Sequence, residues 1–177
     1  MRNLPAFNGT KGFTLVELIV IIVLLGILAV AVAPRFQNTG GYVEYTYQSR
    51  LISSLRTMQQ RAMNDTRANF CFQVNVFTGT DSSFGPPTLN YANNNRANTC
   101  LTTIDTSEDA DYVTADISEM SADGVRIVSG GGTVAFNRFG CPNTGAGFCA
   151  NSVRIELQAD STVAVCVESQ GYIHACD

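Results

Sequence analysis

Apolar and polar positions are unevenly spread along this chain. From Leu18 to Ala33 no charged or polar side chain occurs, and Gly26 is the one break in the run. At 1.5 Å per residue, the stretch from Phe13 to Ala33 makes roughly 30 Å of helix, enough to cross a bilayer core. After Pro34 the pattern changes. Thr39-Gly40-Gly41 is poor helix material and predicts a bend. From Tyr42 a helical period returns. Leu51, Leu55, Met58 and Ala62 are spaced four, three and four, which sets them on one face, and Ile52 and Met63 widen the stripe. Arg50, Arg56, Gln59, Gln60 and Arg61 take the other faces, and Asn64-Asp65 is a stop. A helix from Thr14 to Asn64 would run for about 75 Å if straight, far longer than is usual in a globular domain.

Past residue 65 the period shifts from helix to strand. Strands are predicted over 70–76, 124–129, 134–136, 153–157, 163–168 and 172–175, with turn residues between them. Val153-Arg154-Ile155-Glu156-Leu157 alternates cleanly and predicts a half-buried strand. No internal repeat is visible. The fold class expected is α+β: a long N-terminal helical spine carrying an antiparallel β-sheet head, with the strands as a meander against the spine's distal half.

Composition narrows the function. With 177 residues the chain suits one domain plus an appendage. Hydrophobic residues make up 45% and charged residues 15%, which excludes a wholly disordered chain. The net charge of −4 is the wrong sign for a strongly basic nucleic-acid binder. One histidine excludes a multi-histidine metal site and leaves no Ser-His-Asp or Cys-His centre that stands out. The chain is therefore read as a non-enzyme with no cofactor and no metal.

Lys11-Gly12-Phe13-Thr14-Leu15-Val16-Glu17 carries the sharpest signal. A secretory signal peptide fits it poorly. The apolar run exceeds a usual hydrophobic core region, an acid sits near its start, and Ala31-Val32-Ala33 is the nearest approach to a cleavage site. A plain transmembrane anchor is the other simple reading. The segment resembles the processing signature of type IV prepilins, in which a short basic leader ends in Gly, a Phe or Met follows, and a Glu comes four residues later. That resemblance implies leader removal by a prepilin peptidase between Gly12 and Phe13, and N-methylation of Phe13. It implies four segments: a leader at 1–12, a hydrophobic transmembrane and assembly helix at 13–34, the amphipathic half of the spine at 35–65, and a β-rich head at 66–177. It also implies the ladle shape of a pilin. Gly26 falls where pilins often carry a helix-loosening residue, and Pro34 marks the end of the apolar run; in a filament the segment between them would stretch or melt.

Glu17 can be argued from physics alone. A carboxylate inside a hydrocarbon segment costs several kcal/mol unless it finds a partner. In a bundle of identical helices that partner is the α-amino group of a neighbouring subunit's Phe13, and the pair would set axial register. The alternative is a carboxylate that snorkels to the headgroups.

Two further resemblances refine the family. Val134-Ala135-Phe136-Asn137-Arg138-Phe139-Gly140, the alternating strand, and Val165-Cys166-Val167-Glu168-Ser169-Gln170-Gly171-Tyr172-Ile173 resemble the C-terminal pattern of H-type pseudopilins. Tyr47 to Arg56 resembles a C-type minor pilin of the mannose-sensitive haemagglutinin pilus. The implied function is a minor pilin that primes or joins a surface pilus used in attachment. Its implied partners are major and minor pilin subunits, the peptidase and the inner-membrane assembly platform. Its implied location is the inner membrane, with the head in the periplasm, and then the pilus. A type II secretion pseudopilin and a ligand-binding tip subunit are the alternatives.

The head holds all six cysteines. An even count in an oxidising compartment predicts three bridges, for which sequence allows fifteen connectivities. Neighbour pairing gives Cys71–Cys100, Cys141–Cys149 and Cys166–Cys176; no Cys-x-x-Cys spacing supports zinc or redox chemistry. Residues 105–123 hold seven acids and no base. They read as a solvated helix or loop, with a calcium site or an assembly face as alternatives, although the EF-hand order is absent. Where DNA-binding relatives carry a basic C-terminal motif, this chain has Gly171-Tyr172-Ile173-His174. Without residues 1–12 it has 9 bases against 15 acids, no footprint for phosphates. Tyr91 and Tyr172 are candidate ligand contacts, with strand packing as the alternative.

Overall fold

The computed structural model describes residues 12–36, 42–87, 91, 99–106 and 113–176, with only the backbone described over 29–36. The chain divides into two compact units, Met1–Thr39 and Gly40–Asp177. The leader up to residue 11, the expected bend at 39–41 and part of the acidic stretch lie outside the described residues.

The first unit contains helix α1, Leu15–Phe36. Its backbone stays helical through Gly26 and Pro34.

The second unit opens with α2, Val43–Asn64. Leu51, Leu55 and Met58 are fully buried and Ala62 nearly so, which is the four-three-four stripe. Tyr47 extends the stripe by one turn. Ile52 packs partly against the core, whereas Met63 is 46% exposed and does not widen it. α2 ends where Asp65 turns extended and its N–H donates to Arg61 O at 2.8 Å.

Among the described residues, eight strands follow: β1 Phe72–Phe77, β2 Ser83–Gly85, β3 Arg126–Ser129, β4 Gly132–Phe136, β5 Pro142–Asn143, β6 Val153–Gln158, β7 Thr162–Val167 and β8 Ile173–Cys176. A short helix, α3, spans Ile117–Ala122 between β2 and β3. The expected single meander is corrected by the pairing. One antiparallel sheet has the order β2-β1-β4-β5 and the other β3-β6-β7-β8. One of the crossings between the sheets, from β3 to β4, falls at Gly130, whose φ of +79° turns the chain. A Cβ there would overlap the backbone of Arg154, so only glycine fits the turn. α2 packs against strands of both sheets. Ile155 and Leu157 are buried, while Arg154 before them is exposed and Glu156 between them is half-buried, the alternation a half-buried strand requires.

The polar side of α2 also bonds into the head. Gln48 Nε2 donates to Ala164 O at 2.6 Å, and Arg56 Nη2 to Ile173 O at 2.7 Å. Arg50 pairs with Glu119 through both terminal nitrogens and also donates to Thr114 O. These polar positions thus fasten α2 to the strands and to α3.

Candidate functional site

The motif-bearing segment begins with the start of α1. Thr14 is its N-cap: Thr14 Oγ1 accepts the backbone N–H of Glu17 at 3.2 Å, and Thr14 O accepts that of Leu18 at 3.2 Å. A helix leaves its first N–H groups without intrahelical partners, and a threonine hydroxyl here satisfies one of them. Glu17 then sits at the third helical position, where a negative charge complements the positive end of the helix dipole. Thr14-x-x-Glu17 is the spacing of a capping box, a signal the charge argument for Glu17 passes over.

Downstream, every described side chain is uncovered. Large hydrophobics range from 40% exposed at Ile21 to 76% at Phe13. An apolar run whose described side chains are all exposed is made to be buried in lipid or against other helices. A Cβ added at Gly12 or Gly26 meets no atom within 4 Å, so nothing inside the chain demands glycine at either position. Among the described residues, no helix is long and apolar enough to cross a membrane; the described side chains of α1 stop at Leu28.

Three disulfides join consecutive cysteines in the head: Cys71–Cys100, Cys141–Cys149 and Cys166–Cys176. Cys141–Cys149 closes the loop after β4, and Cys166–Cys176 ties β7 to β8. Gln59 Nε2 donates to Gly140 O, just before Cys141, at 2.8 Å and to Gly171 O, inside the Cys166–Cys176 loop, at 2.6 Å. Cys166, Glu168 and His174 come close together, but the Cys166 sulfur is committed to its disulfide. Glu168 Oε1 and His174 Nε2 lie 3.3 Å apart and partner each other.

The described part of the acidic stretch, 105–106 and 113–123, is less solvated than expected. Met120, near its C-terminal end, is fully buried. Glu119 pairs with Arg50, and Asp123 accepts the Tyr47 hydroxyl at 2.8 Å. Burial, together with that bond, raises the Tyr47 phenol well above its ordinary value. Asp116 caps α3, its Oδ1 accepting Glu119 N–H and the Ser118 hydroxyl, each at 2.7 Å. The backbone bond first, then Ser118, holds the Asp116 carboxyl below the usual aspartate value. Among the described residues, no three metal-ligating groups converge in this stretch.

Tyr91 and Tyr172 differ in role. Tyr91 is buried, stacks on Phe72 at 5.4 Å, and has its phenol pushed up to about 12 by burial. Tyr172 is 64% exposed and stacks on His174 at 4.7 Å.

Residues 7–33 match the prokaryotic N-terminal methylation motif. The chain is 36% identical over 66 residues to the type IV major fimbrial protein FimA of Dichelobacter nodosus, covering 35% of this chain and 39% of that protein. The chain thus spans well under half the length of the curated relative it matches. No solved structure matches it. Motif and relative together support a type IV prepilin family for this chain.

Proposed function

We propose that this chain is a minor type IV pilin. Its leader is removed between Gly12 and Phe13, the new Phe13 amino group is methylated, and residues 13–34 hold the subunit in the inner membrane before it enters a pilus. The observation that carries this reading is Glu17. It is a single carboxylate in the first turn of α1, directly before the apolar run Leu18–Ala33, in a helix whose described side chains are all exposed, inside a methylation motif. In hydrocarbon that carboxylate needs a cation, and a neighbouring subunit's α-amino group supplies one at the matching depth. The work is non-covalent: α1 packs among other helices, Glu17 sets their register, and Gly26 and Pro34 allow local rearrangement. The partners are other pilins, the prepilin peptidase and the assembly platform. The disulfides suit a head exposed to proteases and to pulling.

The Gly12→Val variant tests processing in the native host. The reading expects an uncut precursor by intact mass; a chain cut normally contradicts it. Immunogold labelling then separates the two filament classes. Label along surface pili supports a pilin, and label confined to the periplasm supports a secretion pseudopilin in its place.

A further inference from the structure

We infer that the cleft between the 3-10 turn Gly79–Asp81, the 103–106 loop and α3 is a binding site for a neutral saccharide. The cleft encloses about 610 Å³, within the range of small-ligand pockets. Its walls are already braced. Gln73 and Asn75 on β1 donate to Leu101 O at 2.9 and 3.0 Å, and Asn75 also donates to Thr103 O at 2.9 Å. On the opposite wall Arg50 holds α3 through Glu119. Ser82 Oγ fixes the 3-10 turn by donating to Gly79 O at 2.7 Å while accepting the Ile127 N–H at 2.8 Å.

The lining chooses the ligand. Asp81 and Asp116 supply carboxylates, and Thr103 and Thr106 supply hydroxyls, around the apolar Phe77 and Ile117. Asp81 is exposed, and among the described residues its carboxylate has no hydrogen-bond or ion-pair partner. Phe77 is 41% and Ile117 47% exposed, so both present bare apolar surface. A sugar ring matches this combination. Its hydroxyls donate to carboxylates and exchange bonds with threonines, while its C–H face lies on an aromatic ring. Among the described residues, no lysine or arginine lines the cleft, which disfavours phosphate, sulfate and nucleic acid. The volume also exceeds what one basic side chain of a partner protein would fill.

This inference rests on the head alone and does not depend on leader processing or on Glu17. The test is saturation-transfer NMR on the full chain in a zwitterionic, sugar-free detergent. The probes are a panel of neutral mono- and disaccharides (glucose, galactose, mannose, lactose, cellobiose), with heparin and trilysine as charged controls. Transfer to at least one neutral sugar is expected, and none to heparin. Asp81→Asn should weaken that binding about tenfold, since a hydrogen bond to a charged group is lost. Phe77→Ala should also weaken it, and neither variant should change the circular dichroism spectrum. The inference is overturned by an absence of transfer to every neutral sugar, by affinity unchanged in Asp81→Asn, or by preferential binding of trilysine. Filament entry by an Asp81→Asn chain that binds no sugar would leave the pilin reading intact while confirming the site.

Discussion

Thr14 accepts the backbone N–H of Glu17 at 3.2 Å, so the residue that begins α1 also fixes the first turn that carries its one carboxylate. The bond uses the Glu17 backbone and leaves the carboxylate for a partner. Replacing Thr14 by Ala removes the cap, a change that costs about 1 kcal/mol at a helix N-terminus. Faster hydrogen exchange is expected at the Glu17 amide in micelles, with Thr14→Ser restoring protection. Equal exchange in Thr14→Ala and the native chain would count against the cap.

The Arg50–Glu119 pair makes a second prediction. It joins α2 to a helix that arises within the acidic stretch. Glu119 is 40% exposed and Arg50 19%, so solvent screens part of the attraction. A double-mutant cycle with Arg50→Met and Glu119→Gln should give a coupling of about 0.5–1 kcal/mol by urea denaturation. A coupling of zero would mean that α3 is held by Met120 and Tyr47 alone.

Two glycines separate backbone strain from crowding. Gly124 and Gly171 both have positive φ, +69° and +92°. An added Cβ at Gly124 meets open space, whereas at Gly171 it would overlap the Gly140 carbonyl and the Gln59 amide. Both Ala variants should be destabilised by their backbone conformation, by about 1 kcal/mol. Gly171→Ala should lose clearly more, because the Gln59 bridge between Gly140 and Gly171 must open. Equal losses in melting temperature would show that these segments yield freely.

Acid should weaken the head in a defined direction. Asp116 is held low first by the Glu119 backbone bond, and Glu44 first by the Ser161 hydroxyl, which outweighs the opposing effect of burial. Each folded pKa lies below its unfolded value, so the stabilisation is complete above the unfolded values, near 4. It is lost as the pH falls through the lowered folded values. Melting temperature should be nearly flat from about pH 7 to 5 and fall below about pH 4. Asp116→Asn keeps a good cap and removes one titration, so its acid limb should be shallower. A native head more stable at pH 3 than at pH 6 would reverse the sign.

Much of this architecture was legible where side-chain period reports burial. Leu51, Leu55, Met58 and Ala62 declare the buried face of α2, and Ile155 and Leu157 that of β6. The short strands β2 and β5 were not legible, because three and two residues carry no alternation. α3 was hidden among acids, yet Asp116-x-x-Glu119 has the same capping spacing as Thr14-x-x-Glu17. The chain passes between the two sheets three times, and the crossing from β3 to β4 is made at the positive φ of Gly130, which no hydrophobic pattern encodes. Glu17 stood out because a charge interrupts an apolar run. Thr14 did not, because its role is toward the backbone.

The central claim is that Glu17 positions this subunit among its neighbours. The most direct measurement is the mass and abundance of the Glu17→Ala chain in sheared surface filaments and in the membrane fraction. The account predicts a chain that begins at methylated Phe13, is present in the membrane, and is absent from the filaments. A processed Glu17→Ala chain found in filaments at the native level would contradict it.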